Sequence, residues 1–342
     1  MPLTAIVFLV NMCCSNAPSP SVSGRDSGAD ASDALSDRSA GDSRSESRLD
    51  DVQDTAIDAA DARDLAQDAQ HPIEVGPCHA PTRITESHFI STSPFLGSTV
   101  SMSDAEGMTY VPSDDTLWLA DDDGSLLYEV DRATGELRST VGRELGNAVQ
   151  HGGGGTAGGV RMADLEAVAW HPSGQHLLAF SGRCCPSTPA VFRLARNDGA
   201  PPFAVDTFQP LRAPHDDLTG AAYHPNGELY VSQAREIKRY DYESNEVLDS
   251  FSIPGVEGTI FGLGFVPAGS LLWLVTSEDN LVLVDWARRE VVSDAVFDLT
   301  AFGILDARAV DGANGQVYVL DGMDGSGPRT HAVVVFDVHC TP

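Results

Sequence analysis

Five stretches of this chain repeat one another, and that repetition limits its fold more than any other feature. They are GMTYVPSDDTLWLADDD from Gly107, AVAWHPSGQHLLAFSGR from Ala167, GAAYHPNGELYVSQAR from Gly220, GLGFVPAGSLLWLVTSE from Gly262 and ARAVDGANGQVYVLDG from Ala307. Each has a small residue, a short apolar run, a turn and a second apolar run. In the first four the turn carries a proline, at Pro112, Pro172, Pro225 and Pro267. A third run follows in every unit (SLLYEVD, AVFRLAR, EIKRYD, NLVLVD, HAVVVFD), and three units show a fourth. Period-2 alternation bounded by turn residues predicts strands, not helices. Four short antiparallel strands recurring every 40 to 60 residues predict an all-β fold, a β-propeller. A sandwich has no need of the same proline turn four times, and β-helix repeats are far shorter.

The ends of the repeat region set the blade number. The last unit supplies only three strands, and ESHFISTSP (Glu86 to Pro94) is a lone strand upstream of the first unit. Added to the last unit, it closes a ring of five blades. A sixth blade would have to come from TSPFLGSTVSMS or the glycine-rich insert QHGGGGTAGGVRM, and neither is long enough. The insert is read as a surface loop, because its glycines lack the spacing of a phosphate-binding turn.

Upstream of the propeller, assigned to residues 77–342, the composition changes. Residues 15–76 are Ser, Asp and Ala with scattered Arg, too poor in apolar side chains to repay the entropy of ordering, so they read as a disordered tether. Residues 1–14 hold an apolar run from Leu3 to Met12 ending at Cys13 and Cys14. That is the length of a signal-peptide core and too short to cross a bilayer. It looks like a bacterial lipoprotein signal with Cys13 or Cys14 acylated. The expected address is the periplasm, outer membrane or cell surface, with membrane contact only through that anchor.

Four cysteines remain. Cys78 precedes the closing strand and Cys340 follows its expected partner, so a disulfide there would lock the ring, worth about 5 kcal/mol in the chain-entropy model. Two free thiols are the alternative. Cys184 and Cys185 are adjacent in SGRCCPSTP, either as a strained vicinal disulfide, as free thiols or as part of a distorted metal site.

The formal charge of −29, with a single lysine (Lys238) among 21 basic residues, excludes nucleic acid as a natural partner and favours cations. Before four of the five first strands stands an acidic step: DAEG (Asp104, Glu106), DLEA (Asp164, Glu166), DLTG (Asp217) and ILDA (Asp306), while the fourth unit has TIFG. First strands of blades line a propeller's channel, so these carboxylates are expected around one mouth. There they either cap their own turns or hold a cation, and oxygen ligands in a loose ring suit Ca²⁺. DDDG at Asp121 to Gly124 reads as the hairpin between second and third strands. His171 and His224 precede prolines in equivalent turns and read as repeat features, while His215 is the histidine closest to the mouth.

SDAEGMTYVPSDDTLWLADDDGSLLYEVDRATGEL followed by ADLEAVAWHPSG resembles the SdiA-regulated (YjiK-like) propeller family. More loosely it is similar to NHL, esterase-like phytase and gluconolactonase-like propellers. The resemblance covers roughly residues 103–299 and implies a D-x-E-G step opening successive blades. That step is intact at Asp104–Gly107, nearly so at Asp164–Ala167, and has lost its glutamate at Thr219.

Two functions follow. One is a tethered, monomeric, non-catalytic scaffold for a protein or small ligand, with Ca²⁺ at the mouth. The other is a metal-dependent hydrolase of the lactonase or phytase kind, with Glu106 or Glu166 on the metal and Asp306 as base. A phytase needs basic groups for phosphate, and Arg161, Arg183, Arg235 and Arg308 are the only channel candidates. A lactonase needs asparagines that Asn197, Asn226, Asn280 and Asn314 do not place at channel positions.

Overall fold

Apolar alternation in each unit puts side chains on both faces of a twisted strand, and both faces are buried against neighbouring units. The computed structural model describes residues 81–142, 148–151, 162–182, 189–199, 201–211, 218–313, 315–322 and 331–340. The tether, the signal-like segment with Cys13 and Cys14, and Cys78, Cys184 and Cys185 lie outside these. The described residues begin with β1 (Pro81–Ser91). The first unit supplies β2 (Ala105–Val111), β3 (Thr116–Asp121), β4 (Leu126–Asp131) and β5 (Leu137–Val141). The second supplies β6 (Val149–Gln150), β7 (Leu165–Trp170), β8 (His176–Ser181), β9 (Ala190–Arg196) and β10 (Phe203–Pro210). The third has β11 (Gly220–Tyr223), β12 (Leu229–Gln233), β13 (Glu236–Asp241) and β14 (Glu246–Phe251). The fourth has β15 (Ile260–Phe265), β16 (Leu271–Thr276), β17 (Asn280–Asp285) and β18 (Glu290–Asp298), and the last β19 (Ala307–Ala313), β20 (Gln316–Asp321) and β21 (Ala332–Cys340).

These strands form five sheets, the five blades of a propeller with four antiparallel strands in each. The second blade gains one strand that the glycine-rich insert did not signal: β6 lies parallel to β10 at its outer edge. The fifth blade has the order β1-β21-β20-β19, so the N-terminal strand completes the C-terminal blade as expected. That strand is displaced from the expected Glu86 to Pro94. It starts at Pro81 opposite Cys340 and ends at Ser91 opposite Ala332. The reason is its partner: β21 runs on to Cys340, so backbone groups upstream of Glu86 find acceptors there. Cys340 is disulfide-bonded, to a residue outside the described set.

Turn chemistry explains the aspartates that end most third strands. The Asp131 carboxylate accepts from the backbone N–H of Ala133 (3.0 Å) and Thr134 (2.8 Å). Asp241 accepts from Glu243 N–H and Asp285 from Arg288 N–H, each at 3.1 Å. These bonds satisfy donors that the hairpin leaves unpaired.

The core is divided into five clusters, one at each boundary between blades. Trp118 and Leu127 of blade one meet Leu177, Phe192 and Phe203 of blade two. Tyr110 of blade one packs on Tyr318 of blade five with ring centroids 5.8 Å apart, and Tyr230 of blade three on Phe265 of blade four at 5.6 Å. Aromatic side chains on the first and second strands thus cross between blades.

Small residues at the start of each first strand allow the five inner strands to close on the axis. A Cβ on Gly107 would lie 2.7 Å from the Cα of Ala167, and one on Gly262 2.7 Å from the Cα of Ala309. The channel they enclose, lined by all five first strands, has a volume of about 10 Å³. That holds about one water.

Polar contacts fasten the closing boundary from within. The Asp311 carboxylate of blade five accepts from Tyr110 N–H at 2.7 Å and from the Thr109 hydroxyl at 3.2 Å, both of blade one. Desolvation pushes Asp311 up to about 6. Thr109 in turn accepts from Trp170 N–H of blade two at 3.2 Å. Asp311→Ala takes the acceptor from three donors, Tyr110 N–H, the Thr109 hydroxyl and Gly312 N–H, and is expected to cost about 2–3 kcal/mol. Thermal unfolding measures this as a fall of roughly 5–10 °C, and an unchanged midpoint would show that the bonds do not hold the ring.

Candidate active site at the channel mouth

One local irregularity aims the mouth residues. β2, β7, β15 and β19 each carry a register shift at the same place: between Ala105 and Gly107, Leu165 and Ala167, Ile260 and Gly262, and Ala307 and Ala309. The residues skipped are Glu106, Glu166, Phe261 and Arg308. A bulge re-aims a side chain that regular pairing would bury in the blade, and here the re-aimed residues include two glutamates and an arginine. The position before each bulge is fixed by the second strand. Asp122 N–H donates to the Asp104 carbonyl at 2.9 Å, Gly182 N–H to Asp164 at 2.6 Å and Gly322 N–H to Asp306 at 2.8 Å.

Asp121 is the scaffold beneath. Its buried carboxylate accepts from Ser103 N–H (3.1 Å) and hydroxyl (2.9 Å), from Asp104 N–H (3.0 Å), from Gly124 N–H (3.0 Å) and from the Tyr128 hydroxyl (3.0 Å). Five donors pin Asp104 and the hairpin Asp122–Ser125 to each other. DDDG is the hairpin expected, but it also belongs to the site. Oxygens of Asp104, Asp122 and Asp123 lie within 4.8 Å of one another. Asp122 lies close enough to Asp164, across the boundary between blades one and two, for the two carboxyls to influence each other. Desolvation first, then the charges of Asp164, Asp104 and Glu106, holds the Asp122 carboxyl far above the usual carboxylate range.

On the other side of Asp104 the charge is balanced. Arg308 places Nη1 3.0 Å from Glu106 and Nε 2.7 Å from Asp306, with its guanidinium 5.1 Å from the Phe261 ring. Burial pushes Glu106 up to about 8; Asp104 and Asp306 add to the rise, and Arg308 opposes it. Asp164 and Glu166 converge over Gly182, where any Cβ would collide with both carboxylates.

The sequence-derived residues therefore divide. Asp104, Glu106, Asp164 and Glu166 come together at the mouth with Asp306, while Asp217 lies outside the described residues. A full acidic ring is not formed. Thr219 bonds the Ile260 carbonyl at 2.6 Å, Phe261 is apolar and Arg308 is cationic, so three of the five equivalent positions carry no carboxylate. Asp306 matches Asp104 in register, not Glu106, and its ion pair with Arg308 removes it from the role of free base. Among the basic candidates, Arg235 is exposed away from the channel walls, and Arg161 and Arg183 lie outside the described residues with His215 and Asn314. Asn226 serves its own turn, donating to Glu228 at 2.9 Å. Asp122 and Asp123 were missed because hairpin chemistry accounts for them locally. The signal that could have found them is that the end of a second strand always abuts the start of the first.

Glu106 generates a pH prediction. A carboxyl raised in the folded state binds its proton more tightly there than when unfolded. Its contribution is full below the ordinary value of 4.5 and is lost as pH climbs to about 8. Glu106→Gln is expected to match the native melting point near pH 5, in chelator, and to exceed it progressively towards pH 8. A difference that does not change with pH would refute the assignment.

Residues 24–239 match a family model described as phytase-like, esterase-like activity of phytase. No curated protein matches. Among solved structures, a PQQ-bound aldose sugar dehydrogenase from Streptomyces coelicolor is 10% identical with a TM-score of 0.47, covering 76% of this chain and all (100%) of its own. Myxococcus xanthus glutaminyl cyclase is 12% identical with a TM-score of 0.49, covering 76% of this chain and 96% of its own. Kuenenia stuttgartiensis hydrazine synthase is 17% identical with a TM-score of 0.37, covering 66% and 58%.

Proposed function

The chain belongs to the phytase-like family, and on that premise we propose that it is an exported propeller whose acidic mouth holds a divalent, oxygen-seeking cation of the Ca²⁺ kind and presents it to a partner or small ligand. The observation that carries this reading is the cluster of Asp104, Asp122 and Asp123, whose oxygens lie within 4.8 Å of one another, with Asp164 near enough to raise the Asp122 carboxyl. Carboxylates at such range repel unless a proton or cation lies among them. Arg308 engages the blade-five side, Glu106 and Asp306. Asp104, Asp122, Asp123 and Asp164 would supply hard oxygen ligands, with Glu166 beside them. The likeness to SdiA-regulated propellers in the D-x-E-G step belongs to the same reading.

The family description favours a second reading, metal-dependent ester hydrolysis. A bound cation would polarise the ester carbonyl or phosphoryl group. Glu106, held near 8 and so protonated at neutral pH, is then placed to give a proton to the leaving group; like Asp306 it is ion-paired with Arg308, so neither is a free base. Arg308, the basic group at the described mouth, is already engaged by two carboxylates, which counts against a polyphosphorylated substrate.

Calcium in hundredfold excess over Kd is expected to raise the melting point by about 5–10 °C over chelator, and Asp122→Asn to abolish most of that rise. No shift with calcium would end the cation reading. Calcium-dependent cleavage of an activated ester, lost in Asp122→Asn, would select the hydrolase; binding without cleavage selects the scaffold.

Export rests on the N-terminal segment alone. Replacing Cys13 and Cys14 by serine is expected to move the protein from the membrane to the soluble fraction. A protein already soluble before replacement would rule out the anchor. Peptide mapping of the same material tests the partner assigned to Cys340, which is Cys78; a different linkage, or a free Cys78, overturns it.

A further inference from the structure

At the opposite end of the strands from the acidic mouth, the repeat provides its own control. The turns HPSGQH (171–176), HPNGEL (224–229) and VPAGSL (266–271) are equivalent. Between blades three and four the turns are stapled: His224 Nε2 meets the Gly269 carbonyl at 2.9 Å. Between blades two and three the equivalent His171 makes a different set of contacts. Its ring stacks on His176 at 4.4 Å and meets Tyr223 edge-on at 4.6 Å. His176 stands where the sister turns carry Leu229 and Leu271. At this boundary lies a cleft of about 270 Å³, bounded by His171, His176, Tyr223, Tyr240 and Tyr242.

The rest of its lining has an uneven charge. Glu228, Asp241 and Glu243 contribute three carboxylates against one guanidinium, Arg239, which pairs with Glu228 at 2.7 Å. Glu243 also meets His151 Nε2 at 2.9 Å. The two stacked imidazoles add no positive charge at neutral pH, because burial pulls His176 down to about 4 and lowers His171 as well. Leu248, 51% exposed, supplies an apolar lip.

Aromatic walls, an apolar lip and surplus carboxylate suit a cation with a greasy body. Anions meet net negative charge there, and a neutral ligand gains nothing from it. We infer that this cleft binds a small organic ammonium ion, held by the π faces of its rings and by the carboxylates at its rim. The site is separate from the mouth and does not depend on what binds there.

The test uses choline as probe and 3,3-dimethylbutan-1-ol as its uncharged isostere, titrated into the full chain by calorimetry or ligand-observed NMR. Choline is expected to bind about tenfold more tightly than the isostere, and more weakly as salt is raised. Tyr223→Leu should remove most of that preference. Leu248→Arg, at an exposed lip where folding is not at stake, should weaken choline about tenfold while leaving the melting point unchanged. Equal binding of the two probes, no binding of choline at millimolar concentration, or choline affinity untouched by Leu248→Arg overturns the inference.

Discussion

Everything in this propeller depends on how closely five strands can approach one axis. Side chains at that radius would collide, so each first strand carries glycine or alanine where backbones meet, as with Gly107 against Ala167 and Gly262 against Ala309. With the axis filled by backbone, the channel is too narrow for chemistry along its length. A site on the axis must sit at the rim. The register shift just before the small residue does this. It preserves the close approach and turns one side chain per blade towards the mouth.

The rim is not symmetric, and the asymmetry is electrostatic. Four of the first strands share the bulge, but its occupant is Glu106, Glu166, Phe261 or Arg308. Arg308 sits between Glu106 and Asp306 and neutralises that sector. The boundary between blades one and two has no such counter-ion among the described residues, and Asp122 leans on Asp164 there. Desolvation in this narrow space makes like charges costly, and it raises the Asp122 carboxyl beside Asp164, Asp104 and Glu106. At the far end of the strands, divergence works through packing. A turn histidine that staples two blades at one boundary stacks on a second histidine at the next, and a cleft lies beside it.

Much of the fold was legible in the chain because propeller blades are local. Each blade is built from consecutive residues, so alternation, turn prolines and terminal aspartates all repeat in the linear order. The long-range step, β1 joining β21, was readable from a strand deficit at one end and a surplus at the other. Its limits were not, because they follow the length of β21. Of the mouth, Asp104, Glu106, Asp164 and Glu166 were readable from their place before each first strand. Asp122 and Asp123 were not, since a hairpin explains them locally.

The sequence by itself determined the architecture, the blade count, the small-residue register and the acidic step, all of which are properties of residues near one another in the chain. Only the tertiary structure decided which carboxylates meet, which of them Arg308 engages and where a cleft lies between two blades. Those are contacts between blades some 40 to 200 residues apart in sequence, as between Asp122 and Asp164 (164 − 122 = 42) or Arg308 and Glu106 (202). A periodic sequence specifies each blade alike, but the charge balance at a boundary depends on which two blades the ring brings side by side.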